Sequence, residues 1–394
     1  MLNMNICLTI LRALDRLRFH LCFVVVAAAM ALYSGGAFAD DGWIAPSDKH
    51  EIVDVEFDRS SPPADKYIWN KEIAVSWTTD HAQDTWVCLS ETDPATGACA
   101  TRPTTEDIFG NTTIPILFTE RRSKMTAILT IYAYRTPWMF HKSTCGDGWA
   151  PENTALNSKR WDYYCGGNKP FGVGITAWLP GSEMAKIPSG GVWEANLKLR
   201  LLSVTWKLLA NHSASITLTV TDRNNIEVYL PAFGSATPLV NLNLRSQPIP
   251  GQAGGRIDGR ATLDVCLYDG HNANSDAYQV TLSDTVQTSG RAPELFSVVR
   301  DGGNASNSRD RVDYAVALTY NGERLSMHNG ETVRLQGVNR AEVRQVRLPN
   351  IQTPVLCTPT PLELTTPAFN QIDKVSGHYT GTLRLVFTTP SSSL

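Results

Sequence analysis

Apolar residues recur at every second position over short stretches of this chain, and almost nowhere at the spacing of a helix. Residues 216–222 (ITLTVTD), 261–270 (ATLDVCLYDG), 312–320 (VDYAVALTY) and 341–349 (AEVRQVRLP) alternate in this way and are rich in β-branched side chains. Gly, Pro, Asn and Asp punctuate them. Short alternating runs with frequent turn signals predict strands buried on one face and packed as β-sandwiches. The best helical candidate is a single stretch, 182–187 (SEMAKI). The final run, GHYTGTLRLVFTTPSSSL from Gly377, sets Tyr379, Leu383, Leu385 and Phe387 on one parity and Thr380, Thr382 and Arg384 on the other. That predicts a half-buried last strand. A bare strand edge recruits other chains, so the pattern raises the question of what covers this one.

Composition divides the chain. All ten tryptophans lie at or before Trp206. A polar turn followed by a new apolar strand (TDRNNIEVYLPAF, 221–233) then predicts a boundary near Arg223, with an N-terminal domain over 40–223 and a C-terminal domain over 224–394. Residues 1–39 carry Arg12, Arg16 and Arg18, the apolar run LCFVVVAAAMAL and the exit AFA, the layout of a secretory signal. The apolar run is shorter than the ~20 residues a spanning helix needs, so cleavage after Ala39 and export are expected. Removing the three arginines and one aspartate of that leader takes the net charge from −3 to −5. Mild acidity argues against nucleic acid as a general partner.

Cys7 and Cys22 leave with the leader, and Cys88, Cys99, Cys145, Cys165, Cys266 and Cys357 remain. An even count in an exported chain reads as disulfides. Their clustering suggests Cys88–Cys99, Cys145–Cys165 and Cys266–Cys357. No C-x-x-C spacing occurs, so a structural metal is not expected, and no cofactor is called for.

Enzyme signatures are absent: no G-x-S-x-G elbow, no H-E-x-x-H helix and no phosphate-binding loop. The seven histidines from His50 to His378 are scattered. YDGHNANSD (268–276) groups oxygen side chains that could hold calcium, but it lacks the bidentate glutamate of a helix-loop-helix site, and the same residues make ordinary turns. Exposed aromatic rings are favoured anchors at binding surfaces. KLRLLSVTWKLL (198–209) offers Arg200, Trp206 and Lys207 as an aromatic-plus-cation site, and TERRSKM (119–125) offers Arg121 and Arg122 for an acidic ligand.

Several longer phrases occur together: LPGSEMAKIPSGGVWEANLKL (179–199), NIEVYLPAF (225–233), VNLNLR (240–245), VCLYDG (265–270), VRLPNIQTPVLC (346–357) and the terminal run. With the spacing of the six cysteines, they resemble the CblD/CfaE family of pilus tip adhesins and assembly initiators, over about 87–394. The resemblance implies two immunoglobulin-like β-sandwiches in tandem. The first would bind a host glycan or protein receptor. The second would be a pilin sandwich lacking its last strand, with a groove beside Tyr379, Leu383, Leu385 and Phe387. It further implies a periplasmic chaperone that fills the groove, an outer-membrane usher, and a major pilin subunit that finally donates the strand. The product would sit at the pilus tip on the bacterial surface and would not be an enzyme.

One departure stands out. The family's enterotoxigenic members use arginines for receptor binding in stretches that here read HAQDTWVC and RLLSVTW, with Gln83 and Leu202–Ser203–Val204 in their place. An assembly initiator without receptor binding therefore stays open, as does a secreted carbohydrate-active enzyme, whose two carboxylates no motif marks.

Overall fold

The computed structural model describes residues 44–389 apart from 76–80, 107, 139–147, 151, 160–171, 234–236, 249 and 251–254. The leader, Cys145 and Cys165 lie outside the described residues, and the expected bond between those two cysteines lies there with them. Among the described residues no helix is long and apolar enough to cross a membrane.

Eight strands build the first unit: β1 (Lys49–Asp58), β2 (Lys66–Val75), β3 (Thr85–Cys88), β4 (Thr112–Glu120), β5 (Thr126–Trp138), β6 (Gly172–Leu179), β7 (Gly191–Leu202) and β8 (Leu208–Thr221). A four-residue helix, α1 (Gly181–Met184), overlaps the predicted helical stretch and stops after one turn. The strand order is β1-β8-β7-β4-β5-β6-β2, with β3 also on β7. β4 meets β7 through only two residue pairs, Thr119 with Glu194 and Glu120 with Trp193. At that corner the sheet folds into two facing layers. Alternation decides which side chains meet inside: β7 buries Ala195, Leu197, Leu199 and Leu201 and turns Asn196, Lys198 and Arg200 to water. Each fully buried Leu or Ile contributes ~1.5–3 kcal/mol. The core also holds one polar ring. His212 of β8 is 5 % exposed, its Nδ1 accepts a hydrogen bond from Trp86 Nε1 at 3.1 Å, and the rings of Trp69 and Trp86 flank it.

Fourteen strands follow: β9 (Glu227–Tyr229), β10 (Arg245–Pro248), β11 (Gly255–Leu263), β12 (Cys266–Tyr268), β13 (Ala277–Asp284), β14 (Leu295–Arg300), β15 (Arg311–Tyr320), β16 (Glu323–Met327), β17 (Thr332–Gln336), β18 (Arg344–Val346), β19 (Val355–Pro359), β20 (Leu362–Asn370), β21 (Tyr379–Thr380) and β22 (Leu383–Thr388). One layer runs β10-β11-β20-β15-β14-β21, with β16 on β15. Against it pack the sheets β18-β19-β12-β9 and β17-β13-β22 around Tyr278, Val280, Leu282, Phe296 and Leu364. Of the predicted strand 341–349, only the three residues of β18 pair. The molecule is thus nearly all β, in two sandwiches.

Two of the expected disulfides are present. Cys88–Cys99 closes a loop of 11 residues and Cys266–Cys357 one of 91. The longer bond ties β12 to β19 and restricts the unfolded chain more, contributing about 4–5 kcal/mol against about 3 kcal/mol for the shorter in the chain-entropy account.

The loop 268–276 joins the two sandwiches. Asp269 accepts from the backbone N–H of His271 and Ala273, both at 2.9 Å, and from Ser275 Oγ at 2.7 Å. Its oxygens are therefore spent on a turn, in which Asn272 and Ala273 adopt positive φ. Asn272, fully buried, donates to Gly190 O at 2.7 Å across the joint and accepts from Leu356 N–H at 2.9 Å. Among the described residues no group of three or more His, Cys, Asp or Glu side chains converges, and Asp269 of the loop is engaged by the turn itself.

Candidate functional site

The last strand, β22, alternates as its sequence predicts: Leu383, Leu385 and Phe387 are half-buried, while Arg384, Val386 and Thr388 face water. It runs antiparallel to β13, with Leu385 opposite Leu282 and Leu383 opposite Asp284. Among the described residues its other edge pairs with no strand. Beside that edge lies a groove of about 650 Å³. Leu383 and Leu385 form one wall, and Val228, Leu230, Val240 and Leu242, from β9 and the segment after it, form the other. Leu263, Val265, Leu362 and Leu364 of the core make its floor. A hydrophobic core is thus reached along one line, beside an edge of β22 that takes part in no strand pairing among the described residues. β22 spans six residues, or ~20 Å at ~3.3 Å per residue. An apolar channel beside an unpaired strand edge is the geometry that strand addition uses in general, in which backbone ladders give affinity and pockets for alternate side chains give specificity.

The four residues expected to share this wall do not all meet there. Tyr379 lies in β21, on the far layer, opposite Arg300 of β14, and its hydroxyl donates to Val375 O at 2.6 Å. Between it and β22 the chain crosses from one layer to the other at Gly381, where a Cβ would stand 2.8 Å from Ser297 O. Phe387 fastens β22 from beneath, its ring 4.8 Å from that of Tyr278. Leu383 and Leu385 alone of the four line the groove.

The five candidate receptor residues separate into two places. Trp206 sits on the β7–β8 hairpin, half-exposed, with φ +69°, a conformation unfavourable for a bulky side chain. Its N–H donates to Ser203 O at 2.9 Å, which closes the turn. Lys159 holds its ammonium 5.5 Å from the indole centroid and donates to Val204 O at 2.7 Å. Lys207 in the same turn and Arg200 on the outer face of β7 are exposed. Lys159 could not be found from sequence spacing, because it arrives from a distant loop. Arg121 and Arg122 stand at the opposite end of the domain. Arg121 pairs with Glu194 at 2.6 Å, about nine residues of strand, or ~30 Å, from the hairpin turn. Arg122 donates to Ala273 O, to Val338 O at 2.7 Å and to Ala341 O at 2.8 Å. Its guanidinium is consumed in joining the domains and is not presented to an acidic ligand.

The chain matches two family models that describe CfaE, the E subunit of CFA/I fimbriae: its first domain over residues 40–223 and its second domain over residues 226–391. It belongs to this CfaE-type family of fimbrial tip adhesins. The CFA/I fimbrial E subunit of Escherichia coli is 31% identical over 315 residues, which cover 78% of this chain and 81% of that protein. The crystal structure of CfaE, the adhesive subunit of CFA/I fimbria of enterotoxigenic Escherichia coli, is 27% identical, with a TM-score of 0.76 over 88% of this chain and 94% of that one. A chaperone–tip adhesin complex described as vital for CFA/I fimbriae biogenesis is 26% identical, with a TM-score of 0.63 over 88% and 98%.

Proposed function

We propose that this chain is the tip subunit of a chaperone–usher fimbrium, adhesin and assembly initiator in one. The observation that carries the reading is the groove beside β22, an opened core with one unpaired strand edge. A periplasmic pilus chaperone covers it during export. At the outer-membrane usher the N-terminal segment of the major pilin displaces the chaperone and completes the sandwich. The first domain then projects from the tip and meets a host glycan or protein receptor with the hairpin that carries Trp206, Lys159 and Lys207. Membership of a family with an adhesive subunit and a chaperone–tip adhesin complex among its structures supports this division of labour.

A second reading, initiation without receptor binding, draws on one observation: the amide of Gln83, in the stretch where the resemblance to enterotoxigenic members implies an arginine, donates to Lys159 O at 3.2 Å.

Periplasmic expression of residues 40–394 with and without the chaperone tests the proposal. Accumulation only as a one-to-one complex, resolved by a shaft-subunit peptide into a stable monomer, is the expected result. Equal stability alone would overturn it.

A further inference from the structure

The outer face of β4, β5, β6 and β2 departs from what a wet sheet face carries. β7 turns Glu194, Asn196, Lys198 and Arg200 to water. The β5–β6–β2 side instead aligns aromatic rings across neighbouring strands. Register places Thr113 opposite Tyr132, Tyr132 opposite Trp178, and Trp178 opposite Tyr67. Ring centroids of Tyr132, Tyr134 and Tyr67 lie 5.8, 5.7 and 6.2 Å from that of Trp178, and Tyr67 is 53% exposed. At the Thr113 end the row runs into a depression of about 660 Å³ between the 91–100 loop and β4–β5. Its lining includes Glu91, Thr92, Thr113 and Ile128 and, among the described residues, contains no cationic side chain. The Glu91 carboxylate is oriented by Thr101 Oγ1, which donates to it at 2.9 Å.

We propose that this flank is a ligand site distinct from the hairpin, built for a neutral oligosaccharide. The C–H faces of pyranose rings pack on the rings of Tyr67, Tyr132 and Trp178, the two tyrosine planes lying 36° and 28° from that of Trp178, while Tyr134 meets Trp178 edge-on at 65°. Sugar hydroxyls donate to the Glu91 carboxylate and exchange hydrogen bonds with Thr92 and Thr113. The carboxylate, with no cation lining the depression, disfavours sialylated or sulfated sugars by like-charge repulsion. A row of rings that continues into a depression suits several linked sugar units better than one. The inference rests on the reading of this chain as an adhesin, but on neither the groove nor the hairpin.

The test uses the mature chain in complex with its chaperone, titrated calorimetrically with lacto-N-tetraose, cellotetraose and a sialylated tetraose. Saturable binding of a neutral sugar and none of the sialylated one is expected. Tyr67→Ala should weaken binding about tenfold, the worth of one aromatic contact, and Glu91→Lys should admit the sialylated sugar. Both variants should form the chaperone complex in wild-type yield, which separates loss of the site from loss of the fold. Absence of saturable neutral-sugar binding by the wild type, or binding indifferent to Tyr67→Ala and Trp178→Ala, would overturn the assignment. So would wild-type pili that bind no sugar but attach to a protein surface, with that attachment lost in Tyr67→Ala pili, which would make the flank a protein-docking face. Pilus incorporation, scored on the same preparations, reports on the tip-subunit reading separately.

Discussion

The neutral imidazole inside the first domain makes acid stability a sharp test of its packing. Burial pushes His212 down from 6.5 to about 4. Glu72 opposes that shift by charge, Lys49 adds to it, and Asp48 opposes it more weakly. Protonation would also remove the Nδ1 lone pair that Trp86 Nε1–H uses. The unfolded chain takes up this proton near pH 6.5, the folded chain only near 4. The stabilisation is therefore complete above pH 6.5, declines as pH falls through that window, and is gone below 4. A difference of this size corresponds to about 3 kcal/mol, a large part of the roughly 5–15 kcal/mol typical of a domain. Urea titrations at a series of pH values would measure it, read by tryptophan fluorescence, since all ten tryptophans precede the second domain. Carboxylates also titrate there, so the decisive quantity is the difference between wild type and His212→Gln, which keeps an acceptor for Trp86 but cannot be charged. The variant should lose about 3 kcal/mol less than wild type between about pH 7 and pH 4. Parallel pH slopes for the two proteins would refute the reasoning.

Three further outcomes follow from the same geometry. Trp206→Gly relieves a positive-φ turn and should stabilise the first domain by ~1 kcal/mol in urea unfolding, while abolishing adhesion through the hairpin. Cys266→Ser should cost about 4–5 kcal/mol, more than Cys88→Ser at about 3, because its loop is longer; thermal unfolding of each variant would rank them. Arg122→Met strips donors from three carbonyls at the joint, and a loss of about 2–3 kcal/mol of coupling between the domains is expected, seen as two separated unfolding transitions where wild type shows one.

The alternation in 216–222, 312–320 and 383–388 was readable because one face of each strand packs on a core, and period-two patterning is the mark of that. Less readable was where the alternation stops meaning one strand. Tyr379 shares the parity of Leu383, yet Gly381 carries the chain to the other layer, and parity cannot register a change of sheet. Arg122 looked like a surface cation because its partners, Ala273, Val338 and Ala341, are backbone carbonyls about 150 to 220 residues away, which no side-chain pattern reveals. The second groove wall at 228–242 reads as an ordinary apolar strand and loop, and only the fold sets it beside β22. The aromatic row was hidden for a related reason: Tyr67, Tyr132 and Trp178 come together through strand register, not through sequence spacing.

The central claim, that the free edge of β22 is completed by a strand from another subunit, is tested most directly by amide hydrogen exchange across residues 383–388. In the chain released from its chaperone, the β22 amides that point away from β13 should exchange rapidly. A peptide from the N-terminus of the shaft subunit should protect those amides, and a peptide with its apolar residues moved to the other parity should not. Protection of the whole strand in the chain alone, or exchange unchanged by the matching peptide, would show that the sandwich is already complete and that nothing is donated to it.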